Sequence, residues 1–262
     1  QEVVLRVNNL GVHFPLKQSG KNTPAYLKAV DNVSFEVAHG ETLGLVGESG
    51  CGKSTLGRAL VGLQEAHMGN AVFEGVQIAG GGIKFPSRFR RKIQIIFQDP
   101  YSSLNPGKTV EEALSEPLMV HGLVKSRSER SKRVYSILDK VGLPSAAAQK
   151  YPHQFSGVQR QRICIARTLM VEPEFIICDE SVSALDVSVQ AKVLNLLNDL
   201  KDELNLTYIF ISHDLSVVKY MADRIIVMRN GKIEEIGESE AIYASPASDY
   251  TKSLIDSIPD MG

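Results

Sequence analysis

Residues 47–55, Gly47-Glu48-Ser49-Gly50-Cys51-Gly52-Lys53-Ser54-Thr55, carry the strongest chemical signal in the chain. They match the pattern GxxxxGK followed by Ser or Thr. Glycines at Gly47, Gly50 and Gly52 let backbone N–H groups turn inward around phosphate oxygens. A helix opening at the end of such a loop points its positive end at the same anion. Lys53 adds a mobile charge for β- and γ-phosphates, and Ser54 offers a hydroxyl to Mg²⁺. The alternative is a Gly-rich turn with a chance lysine. It is disfavoured by context, because an apolar strand over 42–46 leads in and a helical pattern over about 53–63 leads out.

A second signal is Phe175-Ile176-Ile177-Cys178-Asp179-Glu180, an apolar strand ending in two carboxylates. Open α/β sheets bind ligands at that edge. There Asp179 can hold Mg²⁺ and Glu180 can polarise an attacking water. Alone this is a common acidic turn; beside the phosphate loop it points to nucleotide hydrolysis. Four further elements narrow the class. Phe155-Ser156-Gly157-Val158-Gln159 precedes the basic run 160–162. Asp186 closes Ser183-Ala184-Leu185-Asp186, just past the acidic strand. His213 follows an apolar strand at 208–211, and Gln98 follows another ending at Phe97.

In order and spacing this set resembles the ATP-binding-cassette ATPases over almost the whole chain, from about residue 3 to 258. The resemblance implies ATP as substrate, Mg²⁺ as its ion, and a role for each matching residue. Gln98 is the lid glutamine that reaches Mg²⁺ and water. Ser156, Gly157 and Gln159 belong to the signature motif, which faces the ATP of a second subunit. Asp186 passes information across that dimer, and His213 contacts the γ-phosphate. Phe14 stands where the family places an aromatic against adenine, with Tyr26 a weaker candidate and a core role for Phe14 as the bland reading. Glu180 is read as the catalytic base, with water orientation as the other role open to it.

Two departures stand out. Val158 replaces the family's usual Gly, and Phe155 its usual Leu; a β-branched side chain there hinders close backbone approach. Ser181-Val182 replaces a common Pro-Thr pair and leaves the chemistry undisturbed. The stretches 97–106, 151–154, 184–190 and 245–259 are similar to the oligopeptide, dipeptide and nickel importer ATPases. That similarity implies membrane-spanning permease subunits, a second ATPase domain of the same or different sequence, and an extracytoplasmic solute-binding protein. It places the chain peripherally at the cytoplasmic face of the cell membrane. Many such relatives carry a Cys-rich extension; the chain stops at Gly262 with no such cluster, so no iron–sulfur centre is expected. A translation or DNA-repair cassette is the runner-up, without the tandem cassettes or long coiled-coil insertions of that class. A non-hydrolysing regulatory module is the third reading, opposed by Glu180 and His213.

The elements that position these residues follow from patterning. Strands are expected at 3–7, 33–37, 42–46, 93–97, 175–178, 208–211, 224–228 and 232–236, and helices at 187–204 and 215–221. Asn230-Gly231 is a two-residue hairpin signal. Alternating strands and helices imply a largely parallel sheet. Residues 110–171 are helical in pattern, broken at Gly122 and at 142–144. Residues 16–25 and the glycine run 80–82 read as loops, the latter without a strand before it. The tail carries Pro246 and Pro259 around a short helix. The fold class is therefore α/β, a P-loop ABC-ATPase fold with an inserted helical subdomain and an antiparallel β element. It forms one domain: core 1–98 and 172–245, helical subdomain about 99–171, tail 246–262.

Composition agrees. With 262 residues and 43% apolar content the chain can bury a sizeable core. A formal net charge of -1 gives no strong pull toward nucleic acid, and no nucleic-acid partner is expected. The basic stretch 125–133 reads as the solvated side of a helix. Three cysteines, Cys51, Cys164 and Cys178, make no disulfide framework. The histidines at 13, 39, 67, 121 and 153 show no ligand spacing. No stretch approaches the ~18 apolar residues that span a bilayer. The chain begins at Gln1 rather than Met, as expected of a processed chain or one piece of a longer polypeptide.

Overall fold

The structure, a computed structural model, describes residues 2–17, 25–97, 99–180 and 186–258. The chain groups into two compact units, residues 1–90 with 207–262 and residues 91–206. The first unit opens with strands β1 (Val3–Leu16), β2 (Ala25–Ala38) and β3 (Thr42–Val46), helix α1 (Lys53–Leu60), and strands β4 (Met68–Phe73) and β5 (Val76–Ala79). The second holds β6 (Ile93–Ile96), α2 (Pro100–Ser103), α3 (Val110–Val120), α4 (Arg127–Lys140), α5 (Gly157–Leu169), β7 (Phe175–Asp179) and α6 (Val187–Leu204). The chain returns to the first unit with β8 (Thr207–Ile211), α7 (Leu215–Met221), β9 (Arg224–Arg229), β10 (Lys232–Glu238), α8 (Ser239–Ala244) and α9 (Asp249–Asp256).

In the first unit β3 is buried along its whole length and is paired in parallel with β8 and β9. Leu45 sits opposite Ile211 on one side and Ile226 on the other. A strand buried on both faces reads as a continuous apolar run, which is how this segment was legible. Helix α7 lies against β3 because Gly44 has no side chain: a Cβ there would come 2.3 Å from Val218 Cγ1. The β9–β10 hairpin turns through Asn230 (φ 50°) and Gly231 (φ 79°). Both are left-handed, as a type I′ turn requires. A separate antiparallel sheet runs β2-β1-β4-β5 and supplies the expected antiparallel element.

In the second unit β6 and β7 pair in parallel, with Ile96 opposite Cys178. Side-chain caps start α3 and α4. Thr109 and Glu112 form a capping box at α3, and Ser126 caps α4 by accepting from the Glu129 N–H. The buried positions of α6, Val193, Leu194, Leu197 and Leu200, fall on one helical stripe.

Several expectations change. A strand, β5, does precede the glycine run 80–82, and β4 and β5 were not foreseen. Their connection turns through Glu74 (φ 47°) and Gly75 (φ 75°), a left-handed pair without the Asn-Gly or Asp-Gly cue. Gly69 in β4 has φ 68°, and a Cβ on it would lie 2.2 Å from the Asn9 carbonyl oxygen. That close approach explains the glycine that broke the strand pattern. Helix α1 stops at Leu60, not near residue 63, because Gly62 (φ 77°) turns the chain. Leu16 and Ala25 belong to strands rather than a loop; residues 18–24 between them lie outside the described residues, as does Pro259. Phe97 falls just past β6 and is exposed. The three cysteines are buried free thiols. Among the described residues no helix is long and apolar enough to cross a membrane.

Candidate active site

The phosphate loop spans the end of β3 and the start of α1. Gly47 (φ 151°), Gly50 (φ 80°) and Gly52 (φ 100°) all take conformations that L side chains rarely adopt. Two of them are also pressed against backbone. A Cβ on Gly47 would lie 2.3 Å from the Met228 carbonyl oxygen, and one on Gly52 would lie 2.1 Å from the Ala29 carbonyl oxygen. From the hairpin turn, the Gly231 N–H donates to the Cys51 carbonyl at 3.0 Å. The loop is thus braced from outside by β2, β9 and the β9–β10 turn.

Inside the loop lies Lys53, only 4% exposed. Its ammonium donates to the carbonyls of Gly47 (2.6 Å) and Glu48 (3.0 Å) and comes 3.5 Å from Cys51 Sγ. A buried charge needs such partners. Gly52 is the N-cap of α1 and places no side chain on the helix end. Ser54 and Thr55 follow in the first turn, where backbone N–H groups point out of the helix end.

His213 belongs to the same unit. Leu45 and Ile211 are partners on adjacent parallel strands, so Gly47 and His213 leave the sheet at the same edge. The turn that carries His213 is fixed. Ser212 Oγ accepts from the Asp214 N–H at 3.0 Å, and Asp214 caps α7 by accepting from Ser216 N at 2.9 Å. Phe14 is half-buried on β1 opposite Leu27, while Tyr26 stands opposite Pro15 and is exposed. Neighbouring residues on a strand point to opposite faces, so Phe14 and Tyr26 lie on opposite faces of this ribbon.

In the second unit β7 delivers Asp179 and Glu180. Asp179 is 3% exposed. The Cys178 thiol beside it is pushed up to about 12, first by burial and then by the negative charge of Asp179. Glu180 has φ 50°, a left-handed conformation that costs a non-glycine residue about 1–2 kcal/mol. Strain of this kind gathers at functional sites. Asp186 is the exposed N-cap of α6 and makes no side-chain cap. Gln98 and residues 181–185 lie outside the described residues.

The signature residues open α5. Ser156 Oγ accepts from the Gln159 N–H at 3.3 Å, and Gln159 Oε1 accepts from the Ser156 N–H at 3.0 Å. Ser156 and Gln159 therefore cap each other, and the Gly157 and Val158 N–H groups remain directed out of the helix end. The spacing Ser-x-x-Gln was a readable capping signal. Tyr101 was the residue missed at this place. Its hydroxyl lies 3.5 Å from where a Gly157 Cβ would stand, and the Arg160 guanidinium stacks 4.0 Å from its ring centre. Arg160 also donates to the Pro152 carbonyl (2.8 Å), and Arg167 to that of Ser103 (2.8 Å). The segment after Gln98 is thereby tied to the signature helix. Among the described residues no group of three or more His, Cys, Asp or Glu could hold a metal ion by itself.

Known proteins are similar to this chain. A family model described as ABC transporter matches residues 30–183. The oligopeptide transport ATP-binding protein OppF of Bacillus subtilis is 51% identical over 259 residues, 98% of this chain and 83% of that protein. The dipeptide transport ATP-binding protein DppF of Haemophilus influenzae is 47% identical over 256 residues, 98% of this chain and 78% of that protein. Among solved structures, a dimeric ATP-binding cassette in a post-hydrolysis state with ADP and Pi superposes with a TM-score of 0.77. The two are 28% identical, and the match covers 90% of this chain and 98% of that one.

Proposed function

Because the chain belongs to the ABC transporter family and is one of its ATP-hydrolysing subunits, we propose that it powers the uptake of peptides. The observation that carries this reading is identity near 50% along nearly the whole chain to oligopeptide and dipeptide transport ATP-binding proteins. The proposed partners are membrane-spanning permease subunits, a second ATPase domain and an extracytoplasmic binding protein, with this chain at the cytoplasmic face of the membrane. Within the chain, the helical segment 99–171 is the inserted subdomain of a single cassette, and 246–262 its tail.

The residues divide the work as follows. The loop 47–55 and Lys53 take the phosphates, and Phe14 takes the adenine. His213 contacts the γ-phosphate, and Glu180 accepts a proton from the attacking water or orients it. Phosphoryl transfer needs positioning and charge neutralisation above all. The hydroxyl of Ser54, the amide of Gln98 and the buried carboxylate of Asp179 are hard oxygen donors of the kind Mg²⁺ prefers. That ion supplies charge neutralisation at the phosphates when bound. Ser156 and Gly157 present the N-terminal end of α5 to an anion, here the γ-phosphate held by the facing subunit, with Asp186 linking the two. ATP then joins two cassettes head to tail, and hydrolysis separates them.

Growth tests the transport reading. A strain lacking this chain, auxotrophic for one amino acid, is expected to stop growing when that amino acid comes only as a short peptide, and to recover with the intact chain. Undiminished growth across peptides of two to six residues would sink peptide uptake while leaving the ATPase untouched.

Val158 yields a second expectation. It lies half-buried in the first turn of α5, where its branched side chain limits approach to the N–H groups beside it. Val158→Gly is expected to raise the ATPase rate of the assembled transporter about fivefold, the worth of one improved hydrogen bond to phosphate. An unchanged rate means that Val158 does not weaken the site.

A further inference from the structure

The phosphate loop has one contact that its own motif does not explain. The Glu48 N–H donates to the phenolic oxygen of Tyr250 at 3.2 Å, across 202 positions of sequence. Glu48 lies between Gly47 and Gly50, two hinges with positive φ, and a Cβ on Gly50 would meet nothing within 4 Å. Segments bounded by glycines are costly to order unless something outside holds them. The contact also fixes direction, since the Glu48 N–H points to the tail rather than into the cradle.

Tyr250 is itself firmly placed. The Arg229 guanidinium lies 4.9 Å from its ring centre. Arg229 ends β9, directly before the turn whose Gly231 N–H holds the Cys51 carbonyl. From β10, the Glu235 carboxylate accepts the N–H groups of Ala247 (2.8 Å) and Ser248 (3.3 Å). Ser248 in turn caps α9, accepting from the Thr251 N–H, and Thr251 is fully buried. Burial raises the Glu235 carboxyl, but the hydrogen bonds from the Ala247 and Ser248 N–H groups and the charge of Lys252 help bring it below its ordinary value, so it is ionised at neutral pH. Burial likewise lifts the Tyr250 phenol above its ordinary value, against the pull of the Glu48 amide, and keeps the hydroxyl neutral.

We propose that Tyr250 is a positioning residue for ATP binding: through the Glu48 amide, the C-terminal helix α9 holds the phosphate loop in the shape that receives the phosphates. Glu235 acts one step further back, by seating the segment that carries Tyr250. The inference rests on the reading of residues 47–55 as the ATP-phosphate loop.

The test is equilibrium binding of MgATP to the full chain, followed by calorimetry, with wild type, Tyr250→Phe, Glu235→Gln and the double variant. Tyr250→Phe removes one oxygen and keeps the ring. It is expected to weaken MgATP about fivefold, the worth of one hydrogen bond. It should raise KM by the same factor and leave kcat at saturating ATP within about twofold. A general loss of structure would lower kcat and melting temperature together. Glu235→Gln is expected to give the same KM-only change, and the double variant to fall short of the product of the two effects, because both act on one contact. Tyr250→Phe with wild-type affinity would overturn the proposal, as would multiplicative effects in the double variant. If wild type shows no MgATP binding that Lys53→Met removes, the loop reading fails and takes the proposal with it.

Discussion

Replacing Glu180 by Gln is expected to lower kcat for ATP hydrolysis by about 10²–10⁴-fold, the usual contribution of a positioned general base, while MgATP affinity stays within about twofold. Glutamine keeps the shape of glutamate and can still hydrogen-bond a water, but it cannot take a proton. The backbone makes this substitution the informative one. Glu180 sits at φ 50° at the end of β7, directly after the buried Asp179. Gln tolerates that conformation as Glu does, whereas glycine would release about 1–2 kcal/mol of strain and change the loop as well as the chemistry. Single-turnover hydrolysis separates the two roles open to Glu180. A rate within tenfold of wild type in Glu180→Gln would leave water orientation as its whole contribution. A larger loss assigns it the proton.

Gly52→Ala should all but abolish ATP binding, by at least about a hundredfold, and lower the melting temperature by several degrees. Two costs add at this residue. At φ 100° an alanine is strained by about 1–2 kcal/mol. Its Cβ would also lie 2.1 Å from the Ala29 carbonyl oxygen, backbone of β2 held between Lys28 and Val30, which both pair with β1. Overpacking of that kind costs about 1–3 kcal/mol. The loop must move away from β2, which displaces the start of α1 and Lys53 with it. Gly50→Ala is the control. It carries a similar φ of 80°, but its Cβ would meet nothing within 4 Å. It should therefore show only the strain, roughly a tenfold loss of affinity. Equal losses in both variants would mean that backbone conformation alone decides, and that contact with β2 is irrelevant.

The same contrast separates what was legible in the chain from what was not. Strand β3, helix α6 and the β9–β10 turn were readable because each is set within a few residues: a run of apolar side chains, a 3.6-residue stripe, an Asn-Gly pair. The Ser156–Gln159 cap was equally local and carried a readable signal that went unused. Strands β4 and β5 were hidden. Gly69 interrupts the alternation for the sake of a close approach to Asn9, and Glu74-Gly75 makes its turn without the usual residues.

By its own motifs, then, the sequence determined the chemistry: a phosphate loop after a strand, paired carboxylates after another, a histidine after a third, in the order of one family. Those features need only the local chain, because a loop, a helix end and a strand end are each made by contiguous residues. Tertiary structure alone decided what holds them. It set the β2 carbonyl against Gly52, the Tyr101 ring under Arg160, and the Tyr250 hydroxyl on the Glu48 amide. Such contacts join residues tens to hundreds of positions apart. Their partners are ordinary carbonyls, rings and hydroxyls with no pattern of their own, and only the packing of the folded chain selects which of them meet.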